Sequence, residues 1–305
     1  MTEADFASAE RYAEAAVAAA TRAAYGSALR AFAAWGVERA LATLPADPET
    51  VADYLAGLAD RGCKAATIDL HAAAIASAHR AAGLAPPTGA ESVRATVRGI
   101  RRSIGTRATR KAPATAEALR KMIRRIPDTL TGKRDRALLL IGFAAALRRS
   151  ELVALTVADI ERAPEGIFVH LRRSKTDQDG AGHAVPVPRG SKLRPVEALE
   201  HWLQASGISE GPLFRPIGKG GRIGAEPLTG RSVAAIVKVR AAAAGLDATL
   251  FSGHSLRAGF VTSALATGAD LLKIMATTRH TQVDTLKGYD RRAQSFVAHA
   301  GKGFL

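Results

Sequence analysis

Cysteine is nearly absent from this 305-residue chain. Cys63 stands alone, so an internal disulfide and a cysteine-built metal site are both excluded, and a core position is left to it. Long apolar runs are missing as well. The longest charge-free apolar run, Ala137 to Leu147, is too short to span a bilayer. The N-terminal residues M-T-E-A-D-F are acidic and lack a secretory pattern, so the expectation is a cytoplasmic protein with no membrane partner. Negative charge is scarce: 28 Asp and Glu face 43 Lys and Arg, a formal net charge of +15 with a pI of about 10.6. An excess of this size calls for an extended polyanion, and nucleic acid is the natural one. The excess is also uneven. Residues 1–113 hold 14 basic against 11 acidic side chains, and the remainder hold 29 against 17. Most of the attraction for phosphate therefore lies in the C-terminal part.

Strand signal is lacking in the first third, where Ala7 to Gly83 is Ala-rich with helical periodicity. Thr21 is placed to cap a helix whose apolar side carries Tyr25, Leu29, Phe32 and Trp35. Asp47-Pro48 reads as the N-cap and first position of a second helix, which passes Val51, Tyr54 and Leu58 and stops near Gly62. A third follows Thr67 and ends near Gly83, and Pro86-Pro87 forces a break. A fourth, from about Ala90 to Ile104, carries Arg94, Arg98, Arg101 and Arg102. Arg94, Arg98 and Arg102 recur at a spacing of four and form a stripe suited to phosphate contact; the plainer use of such a stripe is a solvated helix face. Gly105 to Thr115 has linker composition and adds Arg107, Arg110 and Lys111 to the basic side chains.

The division expected is a four-helix domain at 1–104, a basic linker at 105–115 and a larger domain at 116–305. The larger one opens with helices at Ala116 to Ile126 and Arg134 to Ala146. Its strand-like region holds Leu155 to Ile160, Gly166 to Leu171 and Ala184 to Val187, with a polar hairpin tip carrying Lys175. From Pro195 onward the pattern is helical again. The Gly-rich stretch 218–224 lacks the Lys-Ser/Thr ending of a phosphate-binding loop and reads as a surface turn. The fold class is mainly α, with a small antiparallel sheet making the second domain α+β.

The chain is organised around Phe251 to Asp290. His254 and Arg257 are three apart and share a helix face. His280 and Tyr289 follow, nine residues apart, after an apolar segment. A cation, two imidazoles and a phenol in one place can bind a phosphate, move protons near neutral pH and supply a covalent nucleophile.

Five pieces taken together, A-L-R-R-S-E-L at 146–152, S-K-T at 174–176, H-S-L-R at 254–257, R-H at 279–280 and Tyr289, resemble the tyrosine recombinases, or phage integrases. The resemblance runs over nearly the whole chain, and the N-terminal helices look like that family's core-binding domain. It implies an enzyme that clamps duplex DNA between two domains, assembles as a tetramer on paired sites and needs no metal or other cofactor. It further implies that Arg148 and Arg257 grip the non-bridging oxygens of the scissile phosphate, where planar forks of permanent charge suit them. Tyr289 would attack to give a 3′-phosphotyrosyl link, with Lys175 as general acid for the 5′-oxygen. His254 would assist proton transfer, His280 would donate to a phosphate oxygen, and Glu151 would orient the cations. His71, His79, His170, His183, His201 and His299 fall outside the constellation and are read as structural.

The chain departs from the family pattern twice: Arg279 stands where Gly commonly precedes the second His, and Ala146 stands where Gly is common before Leu-Arg. Two rivals share much of the pattern. A catalytically silent DNA-binding protein would not need the tyrosine and both arginines. A type IB topoisomerase-like enzyme would relax supercoils as a monomer, whereas the compact N-terminal domain and the tail after Tyr289 favour a recombinase. The charge makes a first prediction. Duplex binding should weaken steeply with salt, log affinity falling with log salt by about 0.9 per phosphate contact. A fluorescence titration showing no dependence up to physiological ionic strength would overturn the phosphate-gripping picture.

Overall fold

A computed structural model of the chain describes residues 18–106, 111–172, 182–280 and 282–283. Two compact units divide at residues 109 and 110. Four helices make up the described part of the first: α1 (Ala19–Val37), α2 (Pro48–Asp60), α3 (Ala65–Ala81) and α4 (Glu91–Ile104). α1 packs on α3, and α2 on α4. Their apolar faces meet in a core of Phe32, Val51, Tyr54, Leu55, Ile68 and Ile75, with the Phe32 and Tyr54 rings 4.7 Å apart. Burial raises the Tyr54 phenol to about 12, and its hydroxyl is 2.8 Å from His71 Nδ1. Buried His79 spans the unit: it accepts from the Ala46 N–H at 3.0 Å and donates to the Ile75 carbonyl at 2.8 Å.

Two helix starts differ from expectation. Thr21 lies inside α1, whose N-cap position is Ala18, and Thr67 lies inside α3, which starts after Lys64. Alanine propagates a helix whether or not a side chain caps it, so in Ala-rich sequence the nearest threonine marks no boundary. Asp47 and Pro48 do occupy the N-cap and first helical position of α2.

The second unit is built on α6 (Leu130–Ala144), which is buried over most of its circumference. α8 (Pro195–Ser206) lies along it, and α5 (Ala116–Arg124) and α9 (Gly230–Ala243) complete that layer. Helix α6 begins four residues earlier than expected because Thr129 caps it, its hydroxyl oxygen accepting from the Gly132 N–H at 3.1 Å. Buried Asp135 of α6 accepts from Arg134 at 2.7 Å and from Arg240 of α9 at 2.6 Å, a pairing that removes the cost of an isolated interior charge. After α7 (Arg149–Ala154) come β1 (Ile160–Ala163), β2 (Gly166–Leu171) and β3 (His183–Pro188), an antiparallel sheet in the order β1-β2-β3. The expected strand at Leu155 to Ile160 is corrected. Asp159 accepts from both the N–H and the hydroxyl of Thr156, and this box winds Val157–Asp159 into a 3-10 turn, so the strand starts only at Ile160. Residues 218–224 form a surface turn closed by a bridge between Ile217 and Ile223. Among the described residues no helix is long and apolar enough to cross a membrane.

The helices that carry the site are α10 (Ser255–Ala266) and α11 (Leu271–Thr278). The segment before α5 is strung along α10: the Ala114 N–H donates to the Ser255 carbonyl at 2.8 Å, and the Ala116 N–H to Ser263 Oγ at 2.8 Å. This contact requires Gly259, because a Cβ there would lie 1.8 Å from the Ala114 carbonyl oxygen. Gly259→Ala must therefore push backbone from backbone. It should destabilise the second unit by about 3 kcal/mol, the upper end for overpacking. Urea unfolding followed at the buried Trp202 measures the loss.

Candidate active site

Helix ends bring the site together. α6 stops in a tight turn whose Leu147 N–H donates to the Gly142 carbonyl at 3.0 Å, and Ala146 takes φ 48° in it. That left-handed backbone is why glycine suits the position; alanine bears a penalty of about 1–2 kcal/mol there. The turn delivers Arg148 to the N-cap of α7. One turn further on, the Glu151 side chain is 3% exposed. Its Oε1 accepts from Arg148 Nη1 at 2.6 Å, and its Oε2 accepts from the Arg148 backbone N–H at 2.8 Å. Arg148 itself keeps 19% of its side chain exposed, which leaves it a surface for a ligand.

Arg257, two residues into α10, is 1% exposed. Its Nη1 donates to the Ala146 carbonyl at 2.8 Å. Its Nη2 donates to the Thr278 carbonyl and lies 3.1 Å from His280 Nε2. His280 Nδ1 is 2.8 Å from Thr278 Oγ1, and that hydroxyl donates to the Ile274 carbonyl at 2.7 Å. The hydroxyl proton being engaged, the network assigns a neutral His280 with the proton on Nδ1 and an acceptor at Nε2 facing Arg257. His254 occupies the N-cap of the same helix as Arg257, on the surface.

Four of the six expected reacting residues, Arg148, His254, Arg257 and His280, therefore stand in one cationic cluster. Lys175 and Tyr289 lie outside the described residues. Glu151 lies where an orienting role needs it, shared between cations. Arg279 carries more of the site than its sequence position indicated. It ends α11 in a left-handed conformation, φ 57° and ψ 42°, with its side chain only 7% exposed. Its Nη2 donates to Glu151 Oε2 at 2.7 Å. The available sign was an arginine at a place where the family commonly has glycine. Among the described residues no group of three or more His, Cys, Asp or Glu is placed to hold a metal ion.

The four expected phosphate-contact residues of α4 are exposed, and three of them are already engaged. Glu91 pairs with Arg94 at 3.3 Å and with Arg98 at 2.5 Å, and Asp69 pairs with Arg101 at 2.8 Å. Arg94, Arg98 and Arg101 border a shallow groove of about 370 Å³ floored by Val93 and Val97. Arg102 is exposed on the same helix. Lys111, in the second unit, donates to the Thr249 carbonyl at 2.8 Å. Arg107 and Arg110 lie outside the described residues.

Electrostatics set the protonation of the two imidazoles. His254 is exposed as a whole residue, yet protein packed about its ring strips away water, and this, then the charges of Arg257 and Arg148, pulls it below its ordinary value. The same causes, with His254 and Arg279 added, bring His280 down from 6.5 to about 4. Both are neutral at pH 7, which fits an acceptor role for His280 Nε2. A group held neutral in the fold binds its proton more readily once unfolded. Stability should therefore fall as pH drops from 6.5 toward 4, the unfolded chain taking up the proton first. Melting temperatures at pH 7 and pH 5 should show a smaller acid loss for His280→Gln than for the parent, and equal losses would contradict the burial of a neutral imidazole.

The family model of the phage integrase family matches residues 112–295. An integrase/recombinase xerD homolog from Selenomonas ruminantium is 38% identical over 275 residues, covering 88% of this chain and 80% of that protein. Recombinase cre of Escherichia phage P1 is 28% identical over 289 residues, covering 88% of this chain and 83% of its own length. Among solved structures, a lambda integrase dimer bound to a COC′ core site superposes with a TM-score of 0.61 at 18% identity, over 90% of this chain and 72% of that one. XerH recombinase in a post-cleavage complex with a palindromic difH substrate gives 0.60 at 19% identity, over 82% and 72%. At such identities these two show a shared fold. The mainly helical architecture with its three-stranded antiparallel sheet is that fold, and the chain belongs to the phage integrase family, the tyrosine recombinases.

Proposed function

We propose that this chain is a site-specific DNA recombinase that cuts and rejoins duplex DNA through a covalent 3′-phosphotyrosyl intermediate. The observation that supports this most is the joining of Arg148, Arg257 and His280 from three separate segments around the carbonyl-lined end of α6. Relatives named as recombinases match along most of the chain.

The roles follow from what each group can do. Arg257, buried with its fork fixed by carbonyls, is a charge that needs no reorganisation when the phosphate turns pentacovalent. Arg148 is the more exposed fork and takes the non-bridging oxygens as they gain charge. A phosphate entering between these cations adds the negative charge that His280 lacks in its present surroundings. That favours the protonated imidazole, from which Nε2 donates to a phosphate oxygen. His254 exchanges protons at the site's rim. Tyr289 attacks the phosphorus in line and breaks its bond to the 5′-oxygen, and Lys175 gives that oxygen its proton. Strand rejoining reverses these steps, with the 5′-hydroxyl of another strand displacing the tyrosine. The first unit, with Arg94, Arg98, Arg101, Arg102 and Arg107, grips the duplex together with Arg110 and Lys111. Two DNA sites are held by a tetramer, and the enzyme acts in the cytoplasm, where it meets the DNA.

The test is a covalent one. The protein is incubated with a labelled pool of nicked, randomised duplexes, and DNA that stays attached in denaturing gels is recovered and sequenced. The parent should form a discrete adduct on a recurring sequence. Tyr289→Phe should bind that sequence with equal affinity and form none, since it loses the nucleophilic oxygen and keeps the ring. Absence of any parent adduct, or an adduct that survives in Tyr289→Phe, would refute the assignment.

A further inference from the structure

Arg279 is an anomaly of both backbone and charge. It occupies a left-handed position that glycine would take with less strain. It buries a third guanidinium beside Arg148 and Arg257, and its Nε is buried with no hydrogen-bond partner among the described residues. Like charges gathered out of water oppose folding, so the arrangement needs a compensating contact. Glu151 provides it. This carboxylate divides its two oxygens: Oε1 takes the Arg148 guanidinium at 2.6 Å, and Oε2 takes Arg279 at 2.7 Å together with the Arg148 backbone N–H. The other arm of Arg279, Nη1, donates to the Thr277 carbonyl at 3.0 Å and reaches the Ala145 carbonyl at 3.5 Å. One side chain thus joins the last turn of α11, the turn after α6 and the carboxylate behind Arg148.

We propose that Arg279 is a positioning residue for phosphate activation: by holding one oxygen of Glu151 it fixes the carboxylate that aims Arg148, and by neutralising Glu151 it leaves Arg148 its full charge for the phosphate. Three guanidiniums against one carboxylate keep two net positive charges at the site. Without Arg279, Glu151 would be matched to Arg148 alone, and the cluster would present a single net charge to the phosphate. The same removal lessens the positive field on His280, which is faced by Arg257 and His254 of α10, Arg148 of α7, the Thr278 hydroxyl and Arg279 beside it.

This inference rests on the recombinase reading, and two measurements separate the failure of one from the failure of the other. Arg279→Gly removes the side chain and relieves the backbone; Arg279→Lys keeps the charge. On the DNA recovered from parent adducts, Arg279→Gly should form adduct about ten- to a hundredfold more slowly, the size of effect expected when the group behind a binding residue is lost. Arg279→Lys should recover most of that rate. In a Glu151→Gln background the further change to Gly should slow the reaction much less, because the carboxylate through which Arg279 works has gone. Without DNA, an NMR titration of the His280 ring should move upward from about 4 in Arg279→Gly and stay in place in Arg279→Lys. A residue that only closes the helix would give the opposite: glycine would be as active as the parent or more so, with His280 titrating unchanged. Either of those results, or rate effects of Glu151→Gln and Arg279→Gly that simply multiply, overturns the proposal. A parent that forms no adduct refutes the recombinase reading instead, and the His280 titration then decides the charge arrangement by itself.

Discussion

A guanidinium that is 1% exposed must find its hydrogen-bond acceptors inside the protein, because an unpaired buried cation costs several kcal/mol, roughly. Arg257 finds them at two helix ends. The Ala146 carbonyl lies just beyond α6, and the Thr278 carbonyl belongs to the last residue of α11. Terminal carbonyls lack partners within their own helix and carry the negative end of its dipole, so they serve as acceptors without adding a competing charge. The arrangement of the site follows from this. Arg148 lies two residues beyond Ala146, and His280 two residues beyond Thr278. Solvating one arginine from within therefore sets the positions of the groups on either side of it.

The two departures from the family pattern meet at the same place. Ala146 and Arg279 are both left-handed, φ 48° and 57°, and both flank carbonyls that accept from arginines. The backbone shape is thus kept although the glycines that would make it easy are absent. At residue 146 the smallest side chain with a Cβ limits the strain. At residue 279 a long charged side chain replaces conformational ease with an ion pair to a buried carboxylate.

Much of this was legible in the sequence, where a single periodicity or a local motif decides. The helices of both units appear in the apolar spacing, β2 and β3 in alternation, and the candidate site residues Arg148, His254, Arg257 and His280 in short motifs along the chain. Boundaries set by competing local bonds were not legible. The Thr156–Asp159 box turns an apolar run that reads as a strand into a 3-10 turn, and polyalanine hides the true start of α1 behind Thr21. The partners of charged groups were also hidden, because they come from distant segments. Asp135 meets Arg240 across 105 residues, and Glu151 meets Arg279 across 128. Spacing along one helix explains why Glu151 faces Arg148, and nothing in that spacing shows that the carboxylate is shared.

The α4 arginines have a consequence of another kind. Glu91 and Asp69 are counterions that the protein carries with it, fixed within salt-bridge distance of Arg94, Arg98 and Arg101. A DNA phosphate reaching one of these forks would displace a tethered carboxylate instead of a dissolved anion, and the carboxylate would stay close by and repel the newcomer. The gain at each contact is a difference between two similar pairings, both exposed and both weak. Such a surface exchanges partners readily, and under the proposed role in gripping duplex it would release a wrong stretch about as easily as it took hold of it.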